Sequence, residues 1–211
     1  MRLKQTNELG RSMIEMLGVL AIVGMLSVGG IAGYSKAMMK YKLNKLTEEY
    51  IQFFNDILIY QKDFRQEQIR QGTRFFFASY LVNAKLVPDK WRTIGGVIFD
   101  SMGNQFTPFI AETHKRMVLD LKIKNADDAE GNAETCRTIM INVVQHYRDV
   151  IYSAGLYRGE GNAWGGHFLG TTTCGTQEGI CLSDVTIAEI QNICSNCLED
   201  SGCVLSINFT L

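Results

Sequence analysis

The chain has 211 residues, 46% of them hydrophobic, with 21 basic against 22 acidic side chains. That length supports one ordinary globular domain with an appendage, and a balance this close to neutral provides no field to draw in a nucleic acid, so none is expected as a partner. Six cysteines, Cys136, Cys174, Cys181, Cys194, Cys197 and Cys203, all lie beyond residue 135; their even number and clustering fit disulfides formed outside the cytoplasm.

The N-terminal ten residues, "MRLKQTNELG", are short and carry Arg2 and Lys4. From Met16 to Ser35 twenty consecutive residues then have no charge, and a helix needs about 20 apolar residues to cross the hydrocarbon of a bilayer. No small-residue cleavage site follows the apolar run, so it is expected to stay with the mature protein. Positive charge does not orient it: Arg2, Lys4 and Arg11 precede the run and Lys36, Lys40, Lys42 and Lys45 follow. The cysteines do, and place the larger part of the chain outside.

Beyond the run, Met39, Leu43, Leu46, Tyr50, Phe53, Ile57, Tyr60 and Phe64 recur at spacings of 4 and 3, which is one apolar stripe on a helix. With no proline to interrupt, a single helix is expected from about Ser12 to about Gln66, roughly 80 Å long. "RFFFASYLVNAKLV" reads as a short second helix stopped by Pro88. "GGVIFDSMGNQFTPFI" gives two apolar runs around a turn at Met102 to Asn104, and "RMVLDLKI" alternates with period two, so strands of an antiparallel sheet are expected. Ala133 to Ala154 returns to helical spacing, and Gly155 to Gly179 is glycine-rich and reads as a long surface loop. "TIAE" at Thr186 to Glu189 matches a capping box opening a short helix with Cys194 and Cys197, and "CVLSINFTL" reads as a final strand. The expected class is α+β: a long N-terminal helix with a transmembrane and an amphipathic half, and a globular head holding an antiparallel sheet and a disulfide-tied C-terminal region.

A short basic leader ending in Gly10, then "RSMIE" with Glu15 fifth after the cut, then some twenty apolar residues leading into a long amphipathic helix, resembles the class III signal of the type IV pilin superfamily. The likeness covers about 55 residues. It implies three segments: 1–10 as leader peptide, 11–35 as transmembrane and assembly helix, and 36–211 as an exported head that includes the C-terminal half of the long helix. Gly10 would be recognised by an inner-membrane prepilin peptidase that cuts before Arg11, Arg11 would be the N-methylated new terminus, and Glu15 the assembly glutamate. The implied function is a structural, non-enzymatic subunit that needs no cofactor, polymerised with other pilin subunits by the pilus assembly machinery. It would reside in the bacterial inner membrane before assembly and in a surface filament afterwards, with roles in adhesion or secretion.

The chemistry of that role is independent of the likeness. A carboxylate in the membrane interior costs about 2.5–3.5 kcal/mol on insertion scales and is stabilised by a cation; in the family, a neighbour's terminal amine supplies it. Small residues at Gly18, Ala21, Gly24, Gly29, Gly30, Ala32 and Gly33 permit close helix approach. The same glycines weaken a helix by about 1 kcal/mol each relative to alanine, and resembling pilins lose helicity here on assembly. Gly24 matches the family glycine and Ala32 stands where a proline is usual, which leaves Gly24, Gly29 and Gly30 as the sites for any melting. Arg11 replaces the usual apolar first residue and sets two positive charges near Glu15.

Other readings share parts of this pattern. A pseudopilin of a type II secretion system, forming a short periplasmic piston, has the same signal. A membrane-anchored metal or redox protein with a cytosolic head would use "CSNC" and His167, and predicts free thiols. Disulfides fit an exported head better; of the fifteen pairings six cysteines allow, none is fixed by sequence, and the expectation taken is Cys174 with Cys181, Cys197 with Cys203, and Cys136 with Cys194. His114, His146 and His167 form no hydrolase arrangement. "NFT" at Asn208 matches a glycosylation sequon by three residues only, and Trp164 reads as a loop anchor.

Overall fold

The computed structural model describes residues 8–71, 74–111, 116–124, 129–158, 163–198 and 202–210. The chain divides into two compact units, Met1–Lys42 and Leu43–Leu211. The first is helical throughout its described part, the beginning of helix α1 (Glu8–Ile59, 52 residues). This helix is long and apolar enough to cross a membrane.

In the second unit α1 carries the predicted stripe into a core. Leu43, Leu46, Tyr50, Phe53 and Ile57 are all buried, joined by Phe64 of α2 (Gln61–Gln71). The helix is not continuous to Gln66 as expected. At Tyr60 the amide bonds back three residues, to the Ile57 carbonyl, and the Tyr60 carbonyl receives both Asp63 and Phe64. One tight turn separates the two helices without breaking the apolar spacing.

Among the described residues the unit also holds a nine-stranded sheet built on β1 (Phe75–Phe76), β2 (Arg92–Ile94), β3 (Val97–Phe99), β4 (Gln105–Ile110), β5 (Met117–Ile123), β6 (Ile151–Arg158), β7 (Ala163–Leu169), β8 (Ile180–Cys181) and β9 (Cys203–Phe209). The order is β2-β3-β4-β5-β9-β6-β7-β8, with β1 beside β4. Among the described residues all pairs are antiparallel, as expected of the head, except the edge pair β7 with β8, which is parallel. The last strand lies in the middle, paired with β5 and β6. Strands β4 and β9 bring aromatic side chains against α1: Phe106 lies 5.1 Å from the Phe53 ring and Phe209 lies 5.5 Å from Phe54. Between β2 and β3 a two-residue turn uses Gly95 and Gly96, both at positive φ, as the hairpin turn that matches strand twist requires.

Three expectations are corrected. The run "RFFFASYLVNAKLV" is helical only over α3 (Ala78–Asn83), because Phe75 and Phe76 instead add a strand against Phe109 and Ile110, a use suited to aromatics. The helix placed over Ala133 to Ala154 is α4 (Ala129–Ile139), a π-turn over Met140–Val144, and turns to residue 150. Its apolar spacing runs on through Tyr147 to Ile151, which hides the change to strand β6. The glycine-rich loop expected over Gly155 to Gly179 holds the second half of β6 and all of β7; at Gly166 an added Cβ would press on the Phe168 ring at 3.1 Å, so this glycine serves packing. The capping box opens α5 (Ile187–Cys194) as expected, with reciprocal bonds between Thr186 and Glu189.

Candidate functional site

The N-terminal part of α1 presents one chemistry. Every large apolar side chain from Met13 to Ile31 is between 52% and 78% exposed, far beyond what a folded domain leaves in water as one patch. Glu15 lies on this exposed surface, within the first turns of the helix. Gly10 and Arg11 belong to α1 as well. At Gly18, Gly24, Gly29, Gly30 and Gly33 an added methyl would meet nothing within 4 Å. Nothing in the unit's own packing requires glycine there, whereas an approaching helix would benefit from it. The segment is fully helical through Gly24, Gly29 and Gly30.

In the second unit, two acidic side chains tie α1 to the sheet. Asp100, at the end of β3, accepts from the amides of Met102 (2.9 Å) and Asn104 (2.8 Å), from Asn104 Nδ2 (2.8 Å) and from the Tyr50 hydroxyl (3.0 Å). Burial nevertheless pushes the Asp100 carboxyl above its ordinary range, against those hydrogen bonds. Burial and the neighbouring Asp100 also push the Tyr50 phenol up. One residue earlier, Glu49 Oε2 accepts from Trp91 Nε1 at 3.1 Å, and Trp91 packs at 4.9 Å from Tyr50 and 5.0 Å from Phe53. On the sheet's other face burial raises Asp120, opposed by Ser206 and Arg74. The "DSMGN" turn is legible as an aspartate closing its own loop. The Glu49–Trp91 bond spans 42 residues and leaves no local sign.

All six cysteines form disulfides: Cys136–Cys194, Cys174–Cys181 and Cys197–Cys203. The first joins α4 to α5, the second brackets the turn before β8, and the third fastens the segment after α5 to β9. The sulfurs that stand close to one another, Cys136, Cys197 and Cys203 or Cys174 and Cys181, are the ones these disulfides use. His146 lies on an exposed turn against Tyr147, and His167 Nδ1 contacts the Glu178 carbonyl at 3.0 Å. His114 is outside the described residues. Asn208 of the sequon sits in β9, paired with Val118 on one side and Ser153 on the other. Trp164 is in strand β7 opposite Tyr157, not in a loop.

No family model, curated protein or solved structure matches the chain.

Proposed function

We propose that this chain is the structural subunit of a type IV pilus-like filament, trimmed between Gly10 and Arg11 and polymerised through the first part of α1. One observation carries the reading: an exposed apolar helical surface from Met13 to Ile31, with Glu15 near its start and glycines that its own unit does not use, followed by a head closed by three disulfides. A plain membrane anchor accounts for the apolar surface. It does not account for a carboxylate on that surface, which lipid opposes. An incoming helix whose cleaved terminus carries an amine stabilises Glu15, and the glycines let the two backbones approach. Cleavage both creates that amine and removes the polar leader from the interface.

Replacement of Gly10 by valine tests the first step. The expected outcome is an uncleaved precursor in the membrane fraction, read by N-terminal sequencing; a sequence still beginning at Arg11 contradicts the assignment of Gly10.

A further inference from the structure

The apolar part of α1 ends on a band of positive charge. After the uncharged residues Met16 to Ser35, the next three charges are Lys36, Lys40 and Lys42, and no acidic residue occurs between Glu15 and Glu48. All three lysines are exposed. Among the described residues none of them makes an ion pair, whereas Lys45, the next in line, sits 3.3 Å from Glu48 Oε2. Lys36 and Lys40 stand one helical turn apart, where like charges repel. Two tyrosines accompany them, Tyr34 at 68% and Tyr41 at 63% exposed.

Position decides what meets these charges. At about 1.5 Å per residue the uncharged run is about 30 Å long, the thickness of a bilayer's hydrocarbon. From Lys36 to Lys42 the helix rises about a further 9 Å. A headgroup layer is about 5–8 Å thick on each side, and the long stems of lysine reach it from either edge. With the run in a bilayer, the three ammonium groups and both tyrosines therefore stand at the level of the headgroups, where tyrosine is enriched.

We propose that Lys36, Lys40 and Lys42 form a collar that binds the headgroup phosphates of anionic phospholipid. The helical turn favours lipid over an acidic surface of a second copy. At about 100° per residue, Lys42 leaves the helix about 200° on from Lys40, so the collar has charge on opposite sides. A protein surface meets one side; a lipid layer surrounds the helix and meets both. The proposal rests on this helix being a membrane span, not on cleavage or polymerisation, and it holds for whichever leaflet meets the collar.

The probe is a pair of lipids with identical acyl chains, phosphatidylglycerol and phosphatidylcholine, mixed equally in nanodiscs that hold the full chain. Native mass spectrometry counts the lipids each chain retains on release. An anionic surface attracts each nearby lysine about fivefold, so the expected preference for phosphatidylglycerol is at least about tenfold. The triple variant Lys36→Gln, Lys40→Gln, Lys42→Gln should keep a preference of about twofold or less. The triple variant Lys62→Gln, Lys85→Gln, Lys90→Gln loses the same net charge from exposed positions on the second unit and should keep the wild-type preference. Equal retention of the two lipids by the wild type, or equal losses in the two variants, overturns the proposal. Carbodiimide treatment in vesicles of the same composition adds a further arm: an inter-chain link from one of the three lysines to a carboxylate assigns the collar to a second copy and overturns the lipid. A chain that carbonate washes from those vesicles overturns span and collar together, whereas a chain that stays without the preference overturns the collar alone.

Discussion

Glu15 lies four residues beyond Arg11, one helical turn, on a surface that is otherwise apolar up to Tyr34. Its removal makes the helix a better lipid-embedded segment by about 2.5–3.5 kcal/mol, so insertion should not suffer; assembly should. Glu15→Ala is expected to reach the membrane, to unfold at the same temperature as the wild type, and to yield no filaments when it is the only copy expressed. Normal filaments from the variant would remove Glu15 from the mechanism. Asp100 makes a different kind of test, of the head alone. A carboxyl raised by burial holds its proton more tightly in the folded state, so its contribution to stability is full below the unfolded value, about 3.9, and is lost as the pH rises through the folded one. Relative to Asp100→Asn, which carries no charge at either pH, the wild type should therefore gain stability between about pH 7 and about pH 4. Urea unfolding of both proteins at the two pH values measures this; a wild type that loses ground on acidification contradicts the raised value.

Among the elements, α1 carries two different surfaces in one helix. Beyond Leu43 its apolar residues are spent on the core: Phe53 is fully buried against Trp91 and Phe106, whereas Ile59, at the helix end, is 76% exposed. Phe53→Ala should cost about 3–5 kcal/mol and Ile59→Ala no more than about 0.5 kcal/mol, read from chemical unfolding of the detergent-solubilised chain; equal costs would mean that the stripe does not face the core. That stripe was legible because helical periodicity is a local property, and so were the capping box at Thr186 and the strands β4, β5 and β9, short apolar runs bounded by turn or polar residues. The strand β6 was not, since its residues follow α4 with apolar spacing still close to a helix's, and the ladders that make it a strand are formed with β7 and with β9, the latter some fifty residues later. Gly10, Arg11 and Glu15 lie within six residues and can be recognised as a motif, while the Glu49–Trp91 hydrogen bond spans 42 residues and follows from where Trp91 falls in the fold.

For the molecule as a whole, the two units answer different solvents. The head has a mixed sheet, a buried aromatic core and three disulfides that tie its C-terminal segments together. The first unit leaves its apolar surface open on a helix long and apolar enough to cross a membrane, and under the proposed function a neighbouring helix covers that surface and stabilises its carboxylate. Intact-mass spectrometry of material sheared from the surface of cells expressing the chain tests this most directly. The predicted species begins at Arg11, carries a methyl group on that terminus, keeps its three disulfides and is recovered from filaments. A chain with residues 1–10 still attached, found only in the membrane and absent from the sheared fraction, would contradict it.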